Sequence, residues 1–192
     1  MTRNLGIEIK TKLLQFSYVY FAKPIFFLFD PENVHDWMIN FGIFIGSNII
    51  TRKLTKCAFN YQHPSLRQKI KGIEFPNPVG LAPGFDKDAK LVKVIPIVGF
   101  GYEEIGSVTG EKCPGNPKPR LMRLKKSRSI IVNYGLRNDG AEKISERLQV
   151  QQQAQKNRIK TTANKNSQHQ NFPIGISIAK TNCALTSDTK EG

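Results

Sequence analysis

The chain has 192 residues, 29 Lys plus Arg against 15 Asp plus Glu, 39% apolar residues and three cysteines. That length can bury a single-domain core, which excludes a metal- or disulfide-stapled miniprotein, and the apolar content excludes wholesale disorder. Cys57, Cys113 and Cys183 make no CxxC pair and cannot pair evenly, as expected of a reducing compartment. A formal charge of +14 attracts something anionic, whether nucleic acid, a phosphate-bearing ligand or an acidic membrane surface, and its sign alone does not choose among them. A solvated basic surface explains it equally well.

The most apolar stretch runs from Leu13 to Phe29. A bilayer-spanning helix needs about 20 mainly apolar residues, and here Lys23 and Pro24 interrupt the middle, where a charge and a missing amide hydrogen are costly. No small-residue cleavage site follows, so a signal peptide is not expected either. What remains is a helix lying in or against an interface. Asp30-Pro31-Glu32 opens a second helix, with Pro31 in its first turn and Val34, Trp37, Met38, Phe41 and Ile45 recurring on one face. Such a stripe can pack on the chain's own core. Two adjacent aromatic-rich helices with basic flanks at Arg3, Lys10, Lys12, Arg52, Lys53 and Lys56 also fit a hairpin on a membrane surface.

Residues 61–71 read as a polar linker. Ile73-Glu74-Phe75 reads as a short strand, 79–82 as a brief buried strand, Leu91, Val94, Ile95 and Val98 as a helical stripe, and 102–108 as another strand. Strand, helix, strand is the unit of a parallel sheet. Residues 120–124 and 129–133 read as a hairpin laid over that sheet. Asp139-Gly140-Ala141-Glu142 has capping-box spacing and starts a helix through Ile144 and Leu148, which is expected to decay at Gln151 into an exposed polar run up to Asn171. A third buried strand is expected over 172–179. Three such strands fall short of the eight strands and about 250 residues of an α/β barrel, and leave an unpaired edge.

The stretch Asn77-Pro78-Val79-Gly80-Leu81-Ala82-Pro83-Gly84-Phe85-Asp86-Lys87 carries the most chemistry. Glycines at a strand end let a flat ligand approach the backbone, and Lys87 offers a cation to an electron-rich ring or carboxylate. Taken singly, Lys87 is an ordinary surface lysine. Gly106-Ser107-Val108-Thr109 repeats the design on the next strand. Gly115-Asn116-Pro117-Lys118-Pro119-Arg120, Asn133-Tyr134-Gly135-Leu136-Arg137-Asn138-Asp139-Gly140 and Gly175-Ile176-Ser177-Ile178-Ala179-Lys180 follow in order. No HExxH, Gly-x-Gly-x-x-Gly or Walker lysine occurs, so metal hydrolysis and dinucleotide binding lack support.

In this order of motifs, from about Phe29 onward, the chain resembles the amino-terminal half of class 2, quinone-linked dihydroorotate dehydrogenase, a flavin enzyme of pyrimidine synthesis. The resemblance implies an α/β fold, a partial TIM (β/α)8 barrel with about three of its eight strands, preceded by an amino-terminal membrane-associating helical pair. Residues 1–60 would be the helical membrane and quinone-tunnel region. Residues 61–192 would be the first part of an FMN-binding barrel, with a polar Gln/Asn/Lys-rich insertion at about 150–171.

By the same resemblance, Pro83, Gly84, Phe85, Asp86, Lys87, Ser107 and Ser177 would contact FMN. Lys87, Val132, Asn133, Tyr134, Gly135 and Leu136 would hold the substrate. Keeping Tyr134-Gly135 in register puts Val132 where the family usually has its asparagine, and a one-residue deletion would give that role to Asn133. Ser177 stands where the family often has an FMN-contacting asparagine, and Ala179 replaces a glycine. His35 is expected to be a structural helix residue.

The implied partners are dihydroorotate or orotate, ubiquinone or menaquinone, and a membrane surface, with no nucleic acid; the implied location is peripheral on a bacterial or mitochondrial inner membrane. The family's serine base follows the fourth strand and is expected to lie outside this sequence, as do the loops that hold the flavin phosphate. The 192-residue chain alone is therefore expected neither to close a barrel nor to retain FMN. The alternative is a non-catalytic basic membrane- or nucleic-acid-binding protein.

Overall fold

The computed structural model describes residues 5–161 and 172–181, with side chains from 154 to 161 left aside. Residues 162–171 of the polar insertion, together with Arg3, Cys183 and the tail, lie outside the described residues.

The aromatic front folds as helix α1 (Leu5–Ser17), a π-helical turn (Tyr18–Ala22) and a short α2 (Lys23–Phe26). Pro24 falls in the first turn of α2, where a missing amide hydrogen costs nothing. Helix α3 (Pro31–Ser47) starts where Asp30 and Pro31 predict: the Asp30 carboxylate accepts from the amides of Glu32 and Asn33. Asn48 caps α4 (Ile49–Phe59), an element the sequence reading did not separate. Among the described residues no helix is long and apolar enough to cross a membrane.

Leu5, Ile9, Leu13, Phe16, Tyr20, Phe21 and Leu28 are all exposed, so these first helices bury little of their own apolar surface. Helix α3 does dock. Its Ile39 joins Leu91, Val94 and Ile95 in one core cluster, and Gly42 and Gly46 admit Leu91, Lys93 and Val94 against its backbone.

The polar segment contains a strand that its composition hides: β1 (Gln68–Ile70) pairs antiparallel with β2 (Ile73–Phe75). The main sheet is parallel, in the order β3 (Gly80–Leu81), β4 (Tyr102–Val108), β7 (Ile174–Ile178). The stripe at 91–98 is helical only over α5 (Ile95–Val98), because Pro96 lacks the amide hydrogen that a longer helix would use. Strands β5 (Leu121–Leu124) and β6 (Ser129–Val132) form the expected hairpin.

Helix α6 (Ala141–Thr161) runs ten residues past the expected stop at Gln151. Glutamine, lysine and arginine are good helix formers, so a polar run that buries nothing can still extend a helix that Ile144 and Leu148 anchor on the sheet. Ala89, Val92, Ile105, Val108 and Ile144 form the core between α6 and the sheet. A register shift between Ile105 and Val108 returns Val108 to that face and leaves Ser107 with the opposite one.

Candidate functional site

The carboxyl-terminal ends of β3, β4 and β7 carry the strand-end motifs. After β3 the chain turns through Pro83, Gly84, Phe85 and Asp86 to Lys87. Pro83, Gly84 and Phe85 are exposed, Gly84 has φ +115°, and a Cβ built there would meet nothing within 4 Å. The loop thus offers bare backbone to open space, a cradle that suits a flat ring. At the ends of β4 and β7 the Ser107 and Ser177 hydroxyls lie 3.1 Å apart.

Asp86 is buried. Its carboxylate accepts from the amides of Lys90 and Leu91 at 2.9 and 2.6 Å, which fixes the turn behind Lys87. Its side chain thus holds the loop in shape.

Lys87 does not face bulk water. Its Nζ is buried without a hydrogen-bond partner and lies 3.1 Å from the centroid of the Tyr134 ring. Burial, followed by the Arg137 and Arg120 guanidinia, pushes Lys87 down to about 8. The Tyr134 hydroxyl is likewise buried and unpartnered, and burial, then Glu32 and Asp36, push it up to about 12. Two orphaned donors at one mouth are a site in need of an acceptor.

The substrate-loop residues divide. Tyr134 reaches Lys87, while the side-chain oxygen of Asn133 accepts from the Asn116 amide at 2.9 Å. Gly135 and Leu136 have φ +65° and +57°, which bends the loop back toward α3, and Val132 ends β6 59% exposed, without a polar atom to offer.

Besides His35, three residues at this mouth, Glu32, Arg120 and Arg137, receive no role from the sequence. His35 Nε2 lies 2.9 Å from the Phe85 carbonyl, and its ring stands 5.2 Å from Phe85. Glu32 is buried and meets Arg120 at 2.7 Å and Arg137 at 3.1 Å; hydrogen bonding from Arg120 holds its carboxyl below the usual range. His35 thus serves structure, as expected, and does so across the mouth. The signal for Arg120 and Arg137 was the surplus of basic residues inside glycine-rich loops, where a cation is costly unless paired.

A family model described as dihydroorotate dehydrogenase matches residues 65–190. The chain belongs to that family. It is 34% identical over 160 residues to the "Dihydroorotate dehydrogenase (quinone)" of Mycobacterium sp. (strain KMS), covering 83% of this chain and 40% of the relative. It is 40% identical over 131 residues to the protein of the same name from Christiangramia forsetii, covering 68% and 38%. A crystal structure of DHODH from Eimeria tenella in complex with ferulenol matches with TM-score 0.56 and 30% identity, covering 79% of this chain and 36% of that one. The chain therefore spans about 40% of the length of the relatives it matches. These likenesses support an α/β fold of the TIM-barrel family and do not favour the non-catalytic alternative.

Proposed function

We propose that this chain supplies the first strands of an FMN-dependent dihydroorotate dehydrogenase that passes electrons to a quinone, in pyrimidine synthesis. The observation that carries the proposal is the buried, unpartnered Lys87 ammonium at the mouth formed by the 83–87 loop and Tyr134. The residues present fit the flavin: bare backbone at Gly84, hydroxyls at Ser107 and Ser177, and a cation at Lys87.

The chemistry supplied by bound FMN is acceptance of a hydride from the substrate and delivery of electrons to a quinone. This chain's share is orientation and electrostatics. Lys87 would hold the carboxylate of dihydroorotate and stabilise negative charge nearby, and an anion arriving there gives the ammonium the partner it lacks. Asn133 and the backbone from Tyr134 to Leu136 would hold the ring, with Arg120 and Arg137 adding positive potential from one side. Desolvation strengthens each of these terms.

Residues 1–60 are assigned to the helical region that lies on the membrane surface beside the quinone, and 61–192 to the barrel. The exposed aromatic residues of α1 and α2 support that reading, since an interfacial helix buries one face in the headgroup boundary. Among the described residues three parallel strands form the sheet, and a barrel of this family takes eight.

The test is to join the chain to the carboxyl-terminal remainder of the Christiangramia forsetii relative. Bound yellow flavin and dihydroorotate-dependent quinone reduction, both lost in Lys87→Ala, are the expected results. A completed, folded chain that binds no FMN would overturn the reading.

A further inference from the structure

Glu103 is the one carboxylate among the described residues whose two oxygens are both buried without a hydrogen-bond partner. It sits in β4 between β3 and β7, 0% exposed, and faces the same side of the sheet as Ile105. Asp86, 1% exposed, stands within side-chain hydrogen-bond reach of it. The two carboxyls are unequal. Asp86 accepts from the amides of Lys90 and Leu91, with a further contribution from the Asp88 amide, whereas no donor reaches Glu103.

Among the described residues, Asp86 is the charged group that faces Glu103, and Asp88 is the charged group that faces Asp86. The Lys90 ammonium is engaged elsewhere, 2.9 Å from Asp88 and 3.3 Å from Asp139. The elements flanking Glu103 bring only Leu81 and Ile174 into register with it. An isolated carboxylate in such surroundings is very costly, and two adjacent ones more so. The carboxyl with amide donors is the better anion, and the one without them keeps the proton.

We infer that Glu103 is a positioning residue for the loop that carries Lys87: it remains protonated in the folded chain and donates its carboxyl proton to the Asp86 carboxylate. The neutral Glu103 finds an acceptor, and Asp86 keeps its amide bonds to the turn behind Lys87. Burial, then Asp86, push Glu103 up to about 8; burial pushes Asp86 up as well, against the backbone amides of Leu91, Lys90 and Asp88, which lower it. This inference concerns the loop itself and holds whatever ligand the loop takes.

The sign of its pH dependence is fixed. Glu103 ionises near 4.5 when unfolded and near 8 when folded, so the folded state holds one more proton between those values. Its contribution to stability is complete below about pH 4.5 and is lost as pH rises toward 8. One proton taken up on folding raises the unfolding constant by up to tenfold per pH unit in that window.

Urea unfolding of the chain from pH 5 to 9 tests this, comparing wild type with Glu103→Gln. The side-chain amide of the Glu103→Gln variant can donate to Asp86 at every pH without titrating. Wild type is expected to lose stability toward pH 8 along a limb that Glu103→Gln lacks. Should Glu103→Gln fail to fold, Asp86→Asn replaces it: the amide at 86 donates to an ionised Glu103, and the descending limb shrinks. Superimposable pH profiles for wild type and the folded variant would overturn the inference.

Discussion

The Arg120 guanidinium and the Glu32 carboxylate meet across 88 positions of chain, with Nη2 2.7 Å from Oε1 and Nε 3.2 Å from both oxygens. Arg120 Nη1 goes on to donate to the carbonyls of Pro114 and Asn116, both at 2.8 Å. Every arm of the guanidinium is therefore engaged, and the pair ties the first turn of α3 to the start of the hairpin. A cation and an anion this buried tolerate each other only because the hydrogen bonding is complete.

Removing one member leaves the other uncompensated. Glu32→Gln should cost about 3–5 kcal/mol in urea unfolding at neutral pH, the usual consequence of breaking a buried pair. The pH dependence follows from the lowered Glu32 carboxyl: its contribution is present above the unfolded value of 4.5 and is lost as pH falls through the folded one. Wild type should thus lose stability below pH 4.5 along a limb missing from Glu32→Gln. A variant within about 1 kcal/mol of wild type at pH 7 would mean that the pair contributes little.

Gly106 has φ +110°, and a Cβ there would collide with the Ser177 carbonyl oxygen of β7. Gly106→Ala should cost about 1–3 kcal/mol from backbone strain alone, and the collision adds to it by prising β7 from β4. Hydrogen exchange should show the loss in β7 amides first, with the β5–β6 hairpin keeping its protection. Uniform loss across both elements would show that the sheet and the hairpin unfold together.

Patterns with a fixed period were legible in the sequence. The apolar core of β4, the cap at Asp30 and the order of the strand-end glycines each produce a local signature, and each appears where it was read. Strand β1 was hidden because its residues are exposed on both faces and show no alternation. The continuation of α6 was hidden because glutamine-rich sequence looks the same in a helix as in a coil. At the site, Lys87 and Tyr134 were read from motifs, but their contact was not, since it depends on how the hairpin folds over the loop. The Glu32 and Arg120 pair is longer-range still.

Arg123 of β5 donates to the Phe29 carbonyl at 2.8 Å and stands 4.7 Å from the Phe27 ring, so the hairpin lies beside the exposed aromatic helices. The membrane-surface assignment predicts that the chain co-floats with neutral phospholipid vesicles. A Phe16, Tyr20, Phe21→Ser triple variant should weaken this at least tenfold, given roughly 1.5–3 kcal/mol for each large side chain fully buried. Flotation only with anionic vesicles, abolished by salt and indifferent to the triple variant, would assign the binding to charge instead.

Lys87 and Glu103 bend the stability profile in opposite directions. Lys87 falls from 10.5 unfolded to about 8 folded, so the unfolded chain binds more protons between those values and stability rises with pH across them. Glu103 makes stability fall from 4.5 to about 8. Their sum is a minimum near pH 8, where each group is about half protonated in the folded chain. Lys87→Met removes an unpartnered buried ammonium while keeping its length, and should stabilise the chain below pH 8 by about 1–2 kcal/mol. Its profile should stay flat above pH 8 where that of wild type climbs. A Lys87→Met variant less stable than wild type at pH 7 would show that the Tyr134 ring already compensates the charge, and that the ammonium does not wait for a ligand to do so.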